Sequence, residues 1–163
     1  ETIQDILAPG DIFGQITLER EPRNGEFARA YRTNVALCAF TTGSFAQLLA
    51  ARPHLAVDYT KKVGQQLRRV QNRLTNLLHK DVRSRVLYFF WHLLQQHPTT
   101  AGTAITIPNY LTHEDIARLT GTTRQTVTSV LGALAAEGII EVGRKEIVIK
   151  DYSLLLKSLK MGD

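Results

Sequence analysis

The chain has 163 residues, of which 44% are hydrophobic and 21% charged, enough for one or two small packed domains and too apolar for a disordered segment. Its 20 Lys and Arg outweigh 15 Asp and Glu, a net charge of +5 that suits a polyanionic partner without requiring one. A single cysteine, Cys38, excludes an internal disulfide, a cysteine zinc site and a four-cysteine iron–sulfur centre within these residues, and points to the reducing cytoplasm. No apolar run approaches the ~20 residues of a membrane-spanning helix. Glu1 to Gly10 has neither the basic start nor the apolar core of a signal peptide.

The opening, "ETIQDILAPGDIFGQITL", reads as the middle of a domain, and residues upstream of Glu1 are expected. Strand signals occur at Ile12-Phe13, at 16–18, at 27–31 and at 35–40, separated by turn-like stretches such as "EREPRNGE" at 19–26. Residues 44–50, "SFAQLLA", predict one short helix.

A long helix is predicted over 53–80, with Pro53 in its first turn. Ala56, Thr60, Val63, Leu67, Val70, Leu74 and Leu77 follow one another at alternating spacings of four and three, a heptad stripe with polar residues on the other faces. A helix packed on its own domain usually carries a wider apolar stripe. The narrow seam, with Val63, Leu67, Val70, Leu74 and Leu77 as its candidate dimer contacts, therefore predicts a parallel homodimer, and the basic residues flanking it read as a solvated face.

Asp81 is placed to cap a helix over 82–96, whose apolar side is Val82, Val86, Phe89, Phe90, Leu93 and Leu94. Trp91, His92 and His97 read as packing and surface residues, and His79 and His113 are too isolated to suggest a metal site. A loop at 97–104 and a short strand at 105–107 follow.

Two short helices come next. Thr112 with Asp115 resembles a capping box, Ile116, Ala117 and Leu119 supply an apolar side, and Gly121 allows a turn. Thr123 caps the second helix, which runs to about Glu137 with Val127, Val130, Leu131 and Leu134 facing inward. Arg124, Gln125, Thr128, Ser129 and Gly132 face outward. This is the layout of a helix-turn-helix, whose second helix enters the major groove by its N-terminal end. Arginine can grip guanine through O6 and N7, and glutamine can grip adenine through N6 and N7. Arg124, Gln125, Thr128 and Ser129 are thus candidate base readers, while Thr112, Thr123 and Thr126 at the helix starts are candidate phosphate contacts. The pattern also fits an ordinary two-helix hairpin. The following "GIIEVGRKEIVIKD", 138–151, argues against that alternative, because it predicts a β-hairpin with Arg144 and Lys145 near its tip. A helix-turn-helix followed by a basic hairpin is a winged helix, and the tip can touch phosphate.

"PGDIFG" in a strand-rich segment, a long helix ending "LLHKDVRSRV", then "LTHEDIARLTGTTRQTVTSVLGALAAEGII" and "KEIVI", resemble the Crp/Fnr superfamily of bacterial transcription regulators from about Pro9 to Ile149. The resemblance implies an α+β chain in three parts. Residues 1–50 would be a partial β-roll sensor domain of cyclic-nucleotide-binding type, 51–80 a dimerisation helix, and 81–163 a winged-helix DNA-binding domain. It also implies a homodimer on a pseudo-palindromic promoter site, in contact with RNA polymerase, and an effector in the sensor domain. The family's base-reading positions fall on Arg124, Gln125 and Ser129, the last replacing a common arginine.

Cyclic-AMP-binding relatives carry a Gly-Glu pair, an arginine followed by a small hydroxyl residue, and a hydroxyl pair on the long helix. Here the corresponding places read Gly14-Gln15, "PRNGEFARA" with Arg23 or Arg29, and Val70-Gln71. Gly14, Gln15 and Arg29 are the candidate effector contacts, and cyclic AMP is disfavoured. The iron–sulfur sensor is disfavoured too, unless its cysteines lie upstream. Haem, 2-oxoglutarate, another metabolite or no effector stay open, so the cofactor is unknown. Catalysis finds no support in a phosphate loop, a nucleophile motif or paired metal ligands. A ligand-binding sensor without DNA binding is the alternative to a regulator, and a winged helix used only for protein contact is a third reading.

Overall fold

The computed structural model describes residues 3, 5–14, 27–30, 34–95 and 104–160. The elements are α1 Thr42–Ala51, α2 Pro53–His79, α3 Val82–Gln95, β1 Ile105–Pro108, α4 His113–Thr120, α5 Arg124–Ala136, β2 Ile140–Val142, β3 Glu146–Ile149 and α6 Tyr152–Lys160. The architecture is α+β. Leu7–Arg73 forms one compact unit, and Leu74–Asp163 with Glu1–Ile6 forms the other, so the division falls inside α2.

In the first unit, α1 begins earlier than the sequence pattern suggests because Thr41 caps it, its hydroxyl accepting from Ser44 N at 3.1 Å. Arg52, with φ −136° and ψ 82°, breaks the helix, as expected of a residue held out of the helical region by a following proline. Pro53 then opens α2. The Ala8–Ile12 turn lies along one face of α2, where Lys62 Nζ donates to Gly10 O at 2.6 Å and Gln66 Nε2 to Ile12 O at 2.8 Å.

The strands expected at Ile12-Phe13, at 27–30 and at 35–40 are not strands. A strand is held by ladder bonds to a neighbour, and among the described residues of this unit no ladder forms. Phe27, Val35, Leu37 and Phe40 stand more than half exposed. Their alternation marks apolar faces that call for a partner, not pairing made within these residues. The expected strand at 16–18, the turn at 19–26, Gln15, Arg23, Tyr31 and most of the loop at 97–104 lie outside the described residues.

The second unit has the continuous core. Asp81 caps α3, accepting from Ser84 N at 2.7 Å, and α3 buries Val86, Leu87, Phe90, Leu93 and Leu94. β1, β3 and β2 form an antiparallel sheet in that order, with Ile105 opposite Ile149 and Ile140 also opposite Ile149. Period-2 alternation turns Ile105, Ile107, Ile147 and Ile149 inward into the buried cluster that also holds Phe90, Ile116, Val127 and Leu134. α6 has no counterpart in the elements expected from the sequence. Asp151 starts it by accepting from Leu154 N at 2.8 Å, and Leu155 and Leu159 seal the core. The signal was present in "DYSLLLKSL", an acidic cap followed by an apolar run.

Candidate nucleic-acid interface

α4 and α5 are each set by short-range chemistry. Thr112 and Asp115 form a reciprocal capping box: Thr112 Oγ1 accepts from Asp115 N at 3.2 Å, and Asp115 Oδ2 accepts from Thr112 N at 2.8 Å. Gly121 ends α4 at φ 65° and ψ 46°, a left-handed conformation that a β-carbon disfavours. Thr123 caps α5, accepting from Thr126 N at 3.2 Å. At the far end, Gly138 N donates to Ala135 O and Ile139 N to Leu134 O, the Schellman pattern, with Leu134 and Ile139 both buried. α5 is therefore fixed at both ends and anchored by Val127, Leu131 and Leu134.

The opposite face of α5 is open. Arg124 and Gln125 are exposed on its first turn, followed by exposed Thr128, Ser129, Gly132 and Ala133. Beyond the first turn this face has no large side chain, so another surface can approach the helix closely. Thr128 Oγ1 donates to Arg124 O at 2.9 Å and Ser129 Oγ to Gln125 O at 3.2 Å, bonds that spend the hydroxyl protons on the helix backbone. His113 Nδ1 lies 2.9 Å from Thr128 Oγ1 and links the start of α4 to this face. Thr112, His113, Glu114 and Arg124 line a shallow depression where the N-termini of both helices meet, and Glu114 is engaged there by Arg118 at 3.2 Å. The hydroxyls of Thr112, Thr123 and Thr126 are committed to the caps.

Two features hold this face in place that sequence reasoning missed. Arg85 of α3 donates to Thr120 O, Gly121 O and Lys80 O at 2.8, 3.2 and 3.0 Å, so it clasps the turn between α4 and α5. Arg83 donates from both terminal guanidinium nitrogens, Nη1 and Nη2, to the Glu137 carboxylate at the end of α5, which keeps that carboxyl below its ordinary range through the hydrogen bond and the guanidinium charge. "DVRSRV" carries both arginines, but nothing in its spacing says what they reach.

The hairpin of β2 and β3 has Arg144 and Lys145 exposed at its tip, closed by Gly143 N donating to Glu146 O at 2.8 Å. Lys150 and Glu141 pair at 2.7 Å at its base, and this pairing lowers the Glu141 carboxyl below its usual range.

The predicted seam residues lie on α2, which buries none of its 27 residues. Leu67, Val70, Leu74 and Leu77 are 58%, 65%, 56% and 39% exposed, and Val63 is half-buried. Of the candidate effector residues, Gly14 is exposed, Arg29 places its guanidinium 5.4 Å from the centroid of Phe27, and Gln15 lies outside the described residues. Among the described residues no cluster of His, Cys, Asp and Glu could hold a metal ion, and no helix is long and apolar enough to cross a membrane.

Helices α3, α4 and α5, the last two a helix-turn-helix whose second helix has an open face, with a three-stranded sheet ending in a basic hairpin, define the winged-helix class of DNA-binding domains. Residues 84–158 match the Crp-like helix-turn-helix domain. Over 158 residues the chain is 29% identical to the CRP-like cAMP-activated global transcriptional regulator of Mycobacterium tuberculosis, covering 96% of this chain and 70% of that protein. It is 31% identical over 150 residues to the cyclic AMP receptor protein of Thermus thermophilus, covering 92% of this chain and 66% of that one. A solved structure of a CooA mutant from Carboxydothermus hydrogenoformans superposes with a TM-score of 0.65 at 26% identity, covering 72% of this chain. The chain spans 54% of the length of that structure. It belongs to the Crp/Fnr family of transcription regulators.

Proposed function

We propose that this chain binds a pseudo-palindromic promoter site as a homodimer and regulates transcription there in contact with RNA polymerase, in the cytoplasm. The observation that carries the reading is the open face of α5, with Arg124 and Gln125 on the first turn and small residues behind them. Placed in a major groove, Arg124 pairs with a guanine and Gln125 with an adenine or a neighbouring base, and Thr128 and Ser129 lie against the edges that follow. Arg144 and Lys145 on the wing meet phosphates, and Thr112, Thr123 and Thr126 at the helix starts do so by sharing or exchanging their cap hydrogen bonds. One α5 from each protomer enters successive grooves, so half-sites stand about one turn, ~34 Å, apart.

The dimer forms through the α2 seam, with residues 51–80 as the dimerisation helix between a sensor part, 1–50, and the DNA-binding part, 81–163. Two relatives are named for cyclic AMP. In this chain Gln15 stands where a glutamate would hold the ribose, and Val70-Gln71 where hydroxyls would hold the purine, which supports a different effector or none.

The test is a binding selection on randomised duplexes with the wild type and with Arg124→Ala, Gln125→Ala and Arg144→Ala. Loss of a bidentate base contact is expected to cost about 1–3 kcal/mol and to relax one base pair per half-site. Arg144→Ala is expected to weaken all sequences alike and to flatten the salt dependence. An Arg124→Ala protein that keeps the wild-type preference would overturn the assignment.

A further inference from the structure

Asn109 sits between the β1–β3 ladder and the start of α4, and it is 6% exposed. It makes three hydrogen bonds. Its backbone N–H donates to Lys145 O at 2.8 Å, and Nδ2 donates to Gly143 O at 2.6 Å. Oδ1 accepts from Leu111 N at 2.8 Å. Two of these bonds hold the hairpin tip on either side of Arg144. The third holds the residue immediately before Thr112, the cap of α4.

The side-chain amide uses its donor toward the wing and its acceptor toward the helix. A carboxylate has no such donor, and a hydroxyl one carbon from the backbone is too short to reach Gly143. The tip's own closure is the bond from Gly143 N to Glu146 O, beyond the last paired residues Val142 and Ile147. The Arg144 and Lys145 side chains are exposed, while the carbonyls of Gly143 and Lys145 are both tied down by Asn109.

We propose that Asn109 is a positioning residue for DNA binding. It locks the wing tip in register with the N-terminus of α4, so that Arg144 and Lys145 reach phosphate from a backbone already ordered before the complex forms. The inference rests on the wing reading given above. It adds that phosphate contact by the wing depends on a residue that itself touches no DNA.

The experiment uses Asn109→Asp and Asn109→Ser, both of which keep an acceptor for Leu111 N–H and remove the donor to Gly143. The Arg144→Ala/Lys145→Ala double variant serves as reference. Affinity for a selected duplex is titrated across a salt series, and amide hydrogen exchange is followed in the free protein. Both Asn109 variants are expected to bind about tenfold more weakly at low salt. They are also expected to lose part of the salt slope that the double variant loses, about 0.9 per phosphate contact. Base preference should be unchanged, and exchange should quicken at the wing tip while α4 and α5 keep their protection. Asn109→Ser separates this from repulsion by an added carboxylate, and it decides the matter alone if Asn109→Asp does not fold.

Wild-type slope and wild-type wing exchange in the serine variant, alongside a reduced slope in the double variant, would overturn the positioning role and leave the wing reading standing. Loss of protection throughout α4 and α5 would also overturn it, because Asn109 would then support the domain as a whole. A double variant with the wild-type slope would sink the wing reading itself.

Discussion

Leu77 and Gly121 meet at close quarters: a β-carbon on Gly121 would stand 2.6 Å from Leu77 Cδ2. The last turn of α2 thus touches the turn between α4 and α5 at the residue that has no side chain. Gly121 also has φ 65°, so two separate costs face a substitution there. Leu77 is 39% exposed and its tip can swing aside, whereas the left-handed backbone has no such relief. Gly121→Ala is expected to destabilise the fold by about 1–2 kcal/mol, chiefly through the backbone. Thermal unfolding of Gly121→Ala in the wild type and in a Leu77→Ala background separates the two costs. If Leu77→Ala abolishes the penalty, the contact and not the backbone sets it.

The three carbonyls that Arg85 clasps give a second expectation. Thr120 O and Gly121 O lie at the C-terminal end of α4, where a cation is favoured, and Lys80 O follows α2. Arg85→Ala leaves all three without this partner and is expected to cost roughly 2 kcal/mol, the scale of hydrogen bonds to a charged group. Arg85→Lys keeps the charge but not the planar fork, and should recover only part. Urea unfolding of the two variants checks this, and a lysine variant as stable as wild type would show that charge alone suffices.

How far these relationships could be read in advance follows from their range. The caps at Thr112, Thr123 and Asp81, the turn at Gly121 and the hairpin around Gly143 are local, and residue spacing predicts them. The open face of α5 follows from helical period alone, because Val127, Leu131 and Leu134 must point one way and leave Arg124, Gln125, Thr128 and Ser129 on the other. The bonds from Arg85 to Thr120 and Gly121, from Asn109 to Gly143 and the His113–Thr128 contact span 15 to 36 positions, and no local pattern records which carbonyl or hydroxyl a side chain will find. The strands expected at Ile12-Phe13, at 27–30 and at 35–40 mislead for the opposite reason. Alternation at 35–40 is a local signal, but a strand exists only where a neighbour supplies a ladder.

Asp81 connects capping to pH. The Ser84 N–H bonded to its carboxylate at 2.7 Å, helped by the Ser84 hydroxyl and by Arg83 and Arg85 and opposed by burial, holds the Asp81 carboxyl below its ordinary value of 3.8. A depressed value in the folded state means that the unfolded chain takes up the proton more readily. The contribution is therefore fully present above pH 3.8 and is lost as pH falls through the lower folded value. Asp81→Ala is expected to cost about 1 kcal/mol near neutrality. The gap between wild type and variant should narrow in acid, and unfolding curves at neutral and acid pH will show it. A gap that stays constant would mean that the charge on Asp81 does not matter to the cap.

The seam on α2 makes the last prediction. α2 buries none of its 27 residues, so among the described residues nothing fully covers its apolar stripe. Leu67 and Leu74 are 58% and 56% exposed and lie seven residues apart, the repeat that keeps two helices in register along a shared stripe. From Ala56 to Leu77 the stripe extends about 30 Å at ~1.5 Å per residue, long enough for several interlocking layers. Introducing glutamate at both Leu67 and Leu74 would set like charges against each other across a parallel pair and remove the central apolar contacts. Sedimentation equilibrium is expected to show a dimer for the wild type and a monomer for Leu67→Glu/Leu74→Glu. The monomer should bind one half-site weakly and lose the preference for paired half-sites, because the two α5 helices are no longer linked. Because no α2 side chain is buried in the single chain, the double variant should keep its helical circular-dichroism signal. A well-folded double variant that still sediments as a dimer would place the interface elsewhere.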